Sequence, residues 1–287
     1  MICSNGGVDD YAYICAAGLW KASAGQVMIF YVKMRFDKFI PTKTLQPYIK
    51  QFVVSENEYV HEYKVLPPPG LVIGFQYKGQ LSVIKGDSIV QLNAAGITGL
   101  TDSYKIFRNS AGIGTILVYF TETGFTHFAA HPAHELFNLS LSLEDVFDKT
   151  SIRTVEEKLG LAVTDRQRVE IVEQFLLAQL KDKETDKLIA EAVKLIYQTK
   201  GTIRIKELNE KLFISQSPFE KRFRKIVGTT PKKFASIVRF NAVLGDLNQS
   251  KSLIDICYEN NFFDQAHFSK EFKQFTGDTP EQFKRFL

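Results

Sequence analysis

Cysteine is scarce in this chain, which has 287 residues and three cysteines, Cys3, Cys15 and Cys257. Disulfide-rich domains and zinc modules need cysteines in pairs at short spacings, and these three are scattered over the whole length. Their scarcity therefore excludes a secreted disulfide framework and a cysteine-based zinc module. It fits a chain that stays in the reducing cytoplasm.

Long apolar runs and catalytic motifs are also lacking. Hydrophobic residues make up 45% of the chain, but no run of them is long enough to cross a bilayer. The sequence has no Gly-rich phosphate loop, no nucleophile elbow and no Cys-x-x-Cys pair. We therefore expect a soluble, globular, cytoplasmic protein that has no membrane partner, is not an enzyme and needs no cofactor.

The formal net charge of the chain is small, +4, but the charged residues are unevenly distributed. From Asp186 onward there are 18 Lys or Arg and 12 Asp or Glu residues, a balance of +6, whereas the preceding part carries −2. Basic residues that face phosphates supply most non-specific DNA affinity. The C-terminal third is therefore the part expected to meet nucleic acid, although a charged stretch is more often only a solvated face.

The first 33 residues differ from the rest of the chain. They hold Asp9-Asp10 and no basic segment ahead of their apolar stretch, which argues against a secretory signal. Met34 opens the patterned region. We predict that residues 1–34 are a leader that is either disordered or the product of an upstream start site.

Near the C-terminus, Phe268, Phe272 and Phe275 follow the i, i+4, i+7 spacing of one helix face. Asp264 is placed to cap the start of that helix, and Gly277 is placed to end it in a left-handed conformation. Thr279-Pro280 can open the next helix. The stretch predicts one short helix with a polar outward face.

The same pattern occurs 49 residues upstream. A second short helix precedes each copy, so each forms a helix-turn-helix, whose second helix enters the DNA major groove. We place the first unit at about 205–228 and the second at about 253–277. The landmarks that share the offset are Phe219, Phe223, Gly228, Pro231 and Phe234, matching Phe268, Phe272, Gly277, Pro280 and Phe283.

Residues 185–287 resemble the DNA-binding module of AraC/XylS-family transcription regulators, which holds two helix-turn-helix units joined by a long helix. Asn261 stands where the family usually has Gly, and Asn tolerates left-handed backbone. In the first unit Asn209 and Phe213 replace the usual Ala and Gly, and Pro218 lies in the first turn of the recognition helix, where Pro is tolerated. The second unit carries the resemblance in Ile256-Cys257, Asn261-Phe262, Asp264-Gln265, Phe268, Phe272-Lys273, Gly277, Thr279-Pro280 and Phe283.

The resemblance implies which side chains read DNA, namely the exposed positions of the two recognition helices. Gln can pair bidentately with adenine, and Lys can pair with guanine. For any one of these positions the alternative is an idle side chain that faces solvent. The predicted DNA-binding residues are Ser217, Glu220, Lys221 and Arg224 in the first unit and Gln265, His267, Lys270 and Lys273 in the second, with Arg224 and Lys273 on phosphate.

The N-terminal half has the sequence pattern of strands and turns. Between Arg35 and about Phe128, β-branched and aromatic residues alternate with polar ones, and Gly79 and Gly86-Asp87 mark turns. This predicts a small β-barrel or sandwich, and it resembles the cupin-like sensor domain of many AraC-type regulators. The predicted fold class is α+β: a cupin-like domain at 35–140 with flanking helices, then an all-α DNA-binding domain.

Residues 141–184 are predicted to be helical. An apolar stripe follows Asp165, and such a stripe is usually core packing, although in this family such helices often join two subunits. A homodimer through this region is therefore expected, with core packing as the alternative. The members of the stripe are Val169, Val172, Phe175, Leu176 and Leu180.

Three readings follow from these patterns. The leading one is a sequence-specific transcription regulator that binds double-stranded DNA, responds to a small-molecule effector and contacts RNA polymerase. The second is a metal-dependent cupin enzyme that holds a metal on His127, His131 and His134, against which stand their closeness in sequence and the intervening Pro132. The third is a partner-binding protein whose helix-turn-helix copies do not read DNA.

Overall fold

The computed structural model describes residues 14–15, 34–247, 249 and 251–285. Strands dominate the first half of the described chain, and helices dominate after residue 148. Of the predicted leader, the structure describes only Met34 and Ile14–Cys15. Ile14–Cys15 form strand β1, which pairs with β4. The predicted α+β class is confirmed.

The strands form two antiparallel sheets. One has the order β1-β4-β9-β6-β7, and the other has the order β11-β8-β5-β10-β3-β2. No pairing among the described strands joins one sheet to the other. The remaining strands are β2 (Arg35–Phe39), β3 (Ile49–Asn57), β4 (His61–Val65), β5 (Val72–Lys78), β6 (Leu81–Lys85), β7 (Ser88–Gln91), β8 (Ala95–Thr98), β9 (Lys105–Asn109), β10 (Ile113–Phe120) and β11 (Ser140–Ser142).

Tight turns at glycine set the hairpins. Gly79 joins β5 to β6 with φ +67°, and Gly86 joins β6 to β7 with φ +57°. These backbone angles strain any residue that carries a Cβ atom. The turns predicted at these glycines are confirmed, and the sheets form an open sandwich rather than a closed barrel.

Two helices, α1 (Lys149–Leu161) and α2 (Asp165–Gln179), follow the sandwich. Thr164 caps α2 through a reciprocal pair of hydrogen bonds with Gln167. Four members of the predicted stripe lie on α2 and are buried, and Leu180, just after the helix, is half-buried against the same core. Phe175 meets Phe75 of β5 edge-on at 6.0 Å between ring centroids. The core-packing alternative for the stripe is therefore confirmed, because its side chains are used within the chain.

The C-terminal part is all-α. Its core contains the phenylalanines that share the 49-residue offset, among them Phe219, Phe223, Phe268 and Phe272. None of the helices in the described part of the chain is both long and apolar enough to cross a membrane. The helices are α3 (Lys187–Gln198), α4 (Ile205–Lys211), α5 (Gln216–Val227), α6 (Pro231–Leu247), α7 (Leu253–Glu259), α8 (Gln265–Thr276) and α9 (Pro280–Lys284).

Candidate nucleic-acid interface and effector cavity

Helix α8 is built as its sequence predicts. Asp264 accepts a hydrogen bond from the backbone N–H of His267 at 2.7 Å, which caps the first turn. Gly277 ends the helix with φ +81°, and its N–H donates to the carbonyl of Lys273 at 2.8 Å. Thr279 caps α9 with Pro280 at its first turn. The predicted helix, its N-terminal cap and its glycine end are confirmed.

Helix α5 repeats this construction in the first unit. Phe219 and Phe223 are buried, and Gly228 ends the helix with φ +104°. Pro218 lies in the first turn of α5, where it breaks no backbone hydrogen bond of the helix. Helix α6 runs from the end of the first unit toward the second, so two equivalent recognition helices stand on one connecting helix.

The two interhelical turns differ in their left-handed residue. In the second unit Asn261 has φ +53°, as its substitution for Gly predicts. In the first unit Phe213 has φ +51° and a side chain that is 96% exposed. The unusual Phe is therefore accommodated without disturbing the buried side of the first unit.

The predicted DNA-binding residues lie on the outward faces of α5 and α8. All eight are exposed except Glu220, which is half-buried and accepts a hydrogen bond from Gln216 at 2.9 Å. His267 lies 3.6 Å from Glu271, whose carboxylate also pairs with Arg239 at 2.8 Å. The positions are accessible to a ligand, and their roles toward DNA stay predictions.

Both recognition helices rest their C-terminal ends on the sheet domain. A Cβ atom on Gly277 would lie 2.7 Å from the ring of Tyr104, and one on Gly228 would lie 3.1 Å from Leu100. Lys64 pairs with Asp278 at 2.5 Å and donates to the carbonyl of Thr276 at 3.1 Å. One loop, residues 99–104, therefore touches the ends of both helices.

A cavity of about 440 Å³ lies between the two sheets. Its walls are mainly apolar, with Val72 and Leu117 from one sheet and Phe107 from the other. Tyr119 also lines it, and burial raises the pKa of that phenol to about 12, so the phenol is neutral at pH 7. The helical domain contributes Asn241 of α6, which donates a hydrogen bond to the carbonyl of Pro67 at 3.2 Å.

Lys105 is the cation among the described residues that line this cavity. Its ammonium group donates to the hydroxyl of Ser140 at 2.8 Å. Burial, with Lys85 nearby, lowers the pKa of Lys105 to about 8. Sequence reasoning missed this residue, because a lysine near a strand start looks like any solvated charge. The only feature of the sequence that could have indicated a buried Lys105 is its position at the start of strand β9, beside the apolar residues of that strand.

Two family models match the chain. One is described as "Helix-turn-helix domain" and matches residues 208–285, and the other is described as "Domain of unknown function (DUF6597)" and matches residues 37–142. The search of curated proteins found no match. The match over 208–285 includes both recognition helices and the helix that joins them.

The C-terminal module is an AraC-type helix-turn-helix domain. The predicted resemblance of the C-terminal residues to the DNA-binding module of AraC/XylS regulators is thereby confirmed.

Solved structures give matches of low identity. ToxT from Vibrio cholerae is 11% identical with a TM-score of 0.46, covering 83% of this chain and 98% of that chain. ToxT from strain SCE256 bound to an unsaturated fatty acid is 13% identical with a TM-score of 0.44, covering 82% and 95%. The C-terminal domain of AraT, a response regulator from Geobacillus stearothermophilus, is 17% identical with a TM-score of 0.35, covering 37% and 89%.

The histidines ahead of the AraC-type domain are not gathered into a metal site. His127 is buried against the ring of Tyr48 at 4.5 Å, and burial followed by nearby Lys183 lowers its pKa. Within the described residues, no group of three or more His, Cys, Asp or Glu side chains is placed to hold a metal ion. His127 lies in one short 3-10 turn and His134 in the next, with His131 and Pro132 between them, so the alternative ligand set His127, His131 and His134 gains no support and stays a prediction.

Cys257 lies on α7 of the AraC-type domain and is 1% exposed. Burial raises the pKa of its thiol, which keeps the group protonated and unreactive. Cys257 therefore serves as a small buried side chain of the helical core.

Proposed function

We propose that this chain is an AraC-like transcription regulator that binds specific DNA sites by placing α5 and α8 in two successive major-groove segments. The observation that carries the proposal is the equivalence of the two units: each has a buried phenylalanine face, an exposed polar face and a left-handed glycine end. Recognition helices about one DNA turn apart, roughly 34 Å, can engage one side of the duplex. The predicted readers are Ser217, Glu220, Lys221, Gln265, His267 and Lys270.

Phosphate contacts fall to Arg224 and Lys273 in this proposal. Both lie in the last turn of their recognition helices and are exposed. A base contact and a phosphate contact have different signatures, since only the first depends on sequence while the second sets salt dependence. This difference makes the assignments separable.

The test begins with genome-wide mapping of sites bound by the full-length protein, followed by footprinting on one of them. Gln265→Ala should weaken binding to that site by about 1–3 kcal/mol and relax selectivity at one base pair. Lys273→Ala should weaken all sequences equally and lower the salt slope by about one unit. Lys158→Ala, an exposed lysine on α1, is the matched control. A full-length protein without DNA affinity at low salt would overturn the proposal.

The cavity between the sheets is the proposed effector site. An apolar enclosure with one half-buried ammonium group suits a small molecule that combines a carboxylate with an apolar body, because the carboxylate would pair with the ammonium group of Lys105 and offset the cost of its burial. Asn241 brings the AraC-type domain to the same cavity, so occupancy can alter how the two domains meet. Decanoate is a suitable probe, and titration calorimetry with Lys105→Met tests it.

Two partners, a second copy of the chain and RNA polymerase, stay predictions. A homodimer would need a face of α2 other than its buried stripe, because that stripe packs inside the chain. RNA polymerase would have to reach a surface that DNA leaves free. Sedimentation with and without DNA measures the first, and transcription from a mapped promoter measures the second.

A further inference from the structure

Two phenylalanines are exposed to solvent, unlike the other phenylalanines that the structure describes. Among the phenylalanines that the structure describes, only Phe213 and Phe263 are exposed, at 96% and 90%. Phe213 lies three residues before the start of α5, and Phe263 lies two residues before the start of α8. Each exposed ring therefore stands at the turn that leads into a recognition helix.

Phe213 also strains the backbone. Its φ of +51° is left-handed, and the other described non-glycine residues with positive φ are polar: Asn138, Lys200 and Asn261. Left-handed backbone disfavours a residue with a Cβ atom, and a ring that is 96% exposed gains no burial in return. Strain without a folding benefit is characteristic of positions held for binding.

We propose that Phe213 and Phe263 contact DNA, each laying its ring on the apolar surface of the major groove beside its recognition helix. This inference rests on the proposed DNA-binding function. The first residues of a recognition helix meet base edges, so the turn directly before them lies at the same border of the interface. The apolar groups available there are thymine methyl groups, which phenyl rings contact, and the faces of deoxyribose.

DNA is favoured over a protein partner because an exposed ring precedes each of the two helices that the proposed function places on DNA. The two rings reach their positions by different routes: the left-handed residue is Phe213 itself in the first unit and Asn261, two residues ahead of Phe263, in the second. In the proposed function both units meet the same ligand, DNA. A protein partner seated on one unit would leave the second ring unexplained.

The first experiment uses the full-length protein, a mapped site and the same site with deoxyuridine in place of single thymines, which removes only the methyl group. Phe263→Ala should weaken binding to the natural site about fourfold, the factor expected for burying one methyl group. If the ring meets a methyl group, one deoxyuridine should weaken wild-type binding equally and leave the variant unchanged. Loss in the variant with no deoxyuridine effect assigns the contact to deoxyribose.

Leu161→Ala is the matched control, because Leu161 is 83% exposed at the end of α1 in the other domain. It should leave DNA affinity unchanged. Unchanged affinity of Phe263→Ala on a site that the wild-type protein binds would overturn this inference while the proposed function stands. Absence of wild-type binding would instead overturn the proposed function.

The second experiment separates folding from binding in one variant. Phe213→Gly should raise the melting temperature, because glycine adopts φ +51° without strain and no buried surface is lost. The same variant should bind DNA about fourfold more weakly. A more stable variant with unchanged affinity would show that Phe213 is idle, and a less stable variant would show that its ring supports the fold.

Discussion

Replacing Lys105 by Met should stabilise the protein and abolish its response to a carboxylate. Met has similar length and no charge, so it fills the same space in the apolar cavity. Ser140, the hydrogen-bond partner of Lys105, keeps a second partner in the hydroxyl of Thr98 at 3.0 Å. The change therefore removes a costly ammonium group without leaving its partner unpaired.

The magnitude follows from the pKa. Its fall from 10.5 to about 8 in the folded chain means that the protonated lysine opposes folding at neutral pH. Each pKa unit is worth about 1.4 kcal/mol, and solvent screening of a partly exposed group reduces the total. We expect Lys105→Met to raise the free energy of unfolding at pH 7 by about 1–2 kcal/mol.

The sign of the pH dependence provides a second readout. Between pH 8 and 10.5 the unfolded chain binds the Lys105 proton more tightly than the folded chain, so this group makes stability rise with pH across that window. The Lys105→Met variant should lose that rise. Wild-type affinity for decanoate should fall as pH increases through about 8, because binding then requires uptake of a proton.

Denaturation in urea across pH 7–10.5, with titration calorimetry of decanoate, measures both effects. Lys85→Met is the control, since Lys85 is an exposed lysine of the same sheet that contributes to the low pKa of Lys105. That control variant should change stability little and retain decanoate binding. A Lys105→Met protein that is less stable than wild type, or that binds decanoate normally, would refute the reasoning.

Two other changes probe the packing of the AraC-type domain. Gly277→Ala should lower the free energy of unfolding by about 1–2 kcal/mol, because φ is +81° and the new Cβ would lie 2.7 Å from the Tyr104 ring. Adding Tyr104→Ala to this variant should recover only the part of the lost free energy that comes from the clash with the ring. Urea denaturation of both variants measures this, and no recovery in the double variant would show that the contact is wrong. Phe268→Ala, at a site that is 2% exposed, should cost about 3–5 kcal/mol, whereas Ser269→Ala beside it should cost little by the same assay. Equal losses for the two would mean that the faces of α8 are misassigned.

Local features of the helical domain were predictable because they depend on neighbours in sequence. The cap at Asp264, the left-handed end at Gly277 and the apolar spacing of Phe268 and Phe272 each act within one helix turn, and all appear in the structure. The 49-residue offset carried the same information to the first unit. The turn at Asn261 also followed from what its side chain tolerates.

Features that join distant parts of the chain were not predictable in this way. The sequence separates Lys105, Ser140 and Asn241 widely, and only the closing of two sheets against α6 brings them around one cavity. Residues 99–104 look like an ordinary connection, yet they support the ends of both recognition helices.

The sequence alone determined where the helices of the AraC-type domain start and stop and which of their faces are polar, since capping and periodicity are local effects. The tertiary structure decided which charge is buried, which phenylalanines are left exposed and how the sheets meet the recognition helices. Burial and long-range contact depend on how the whole chain packs, and no single segment encodes them.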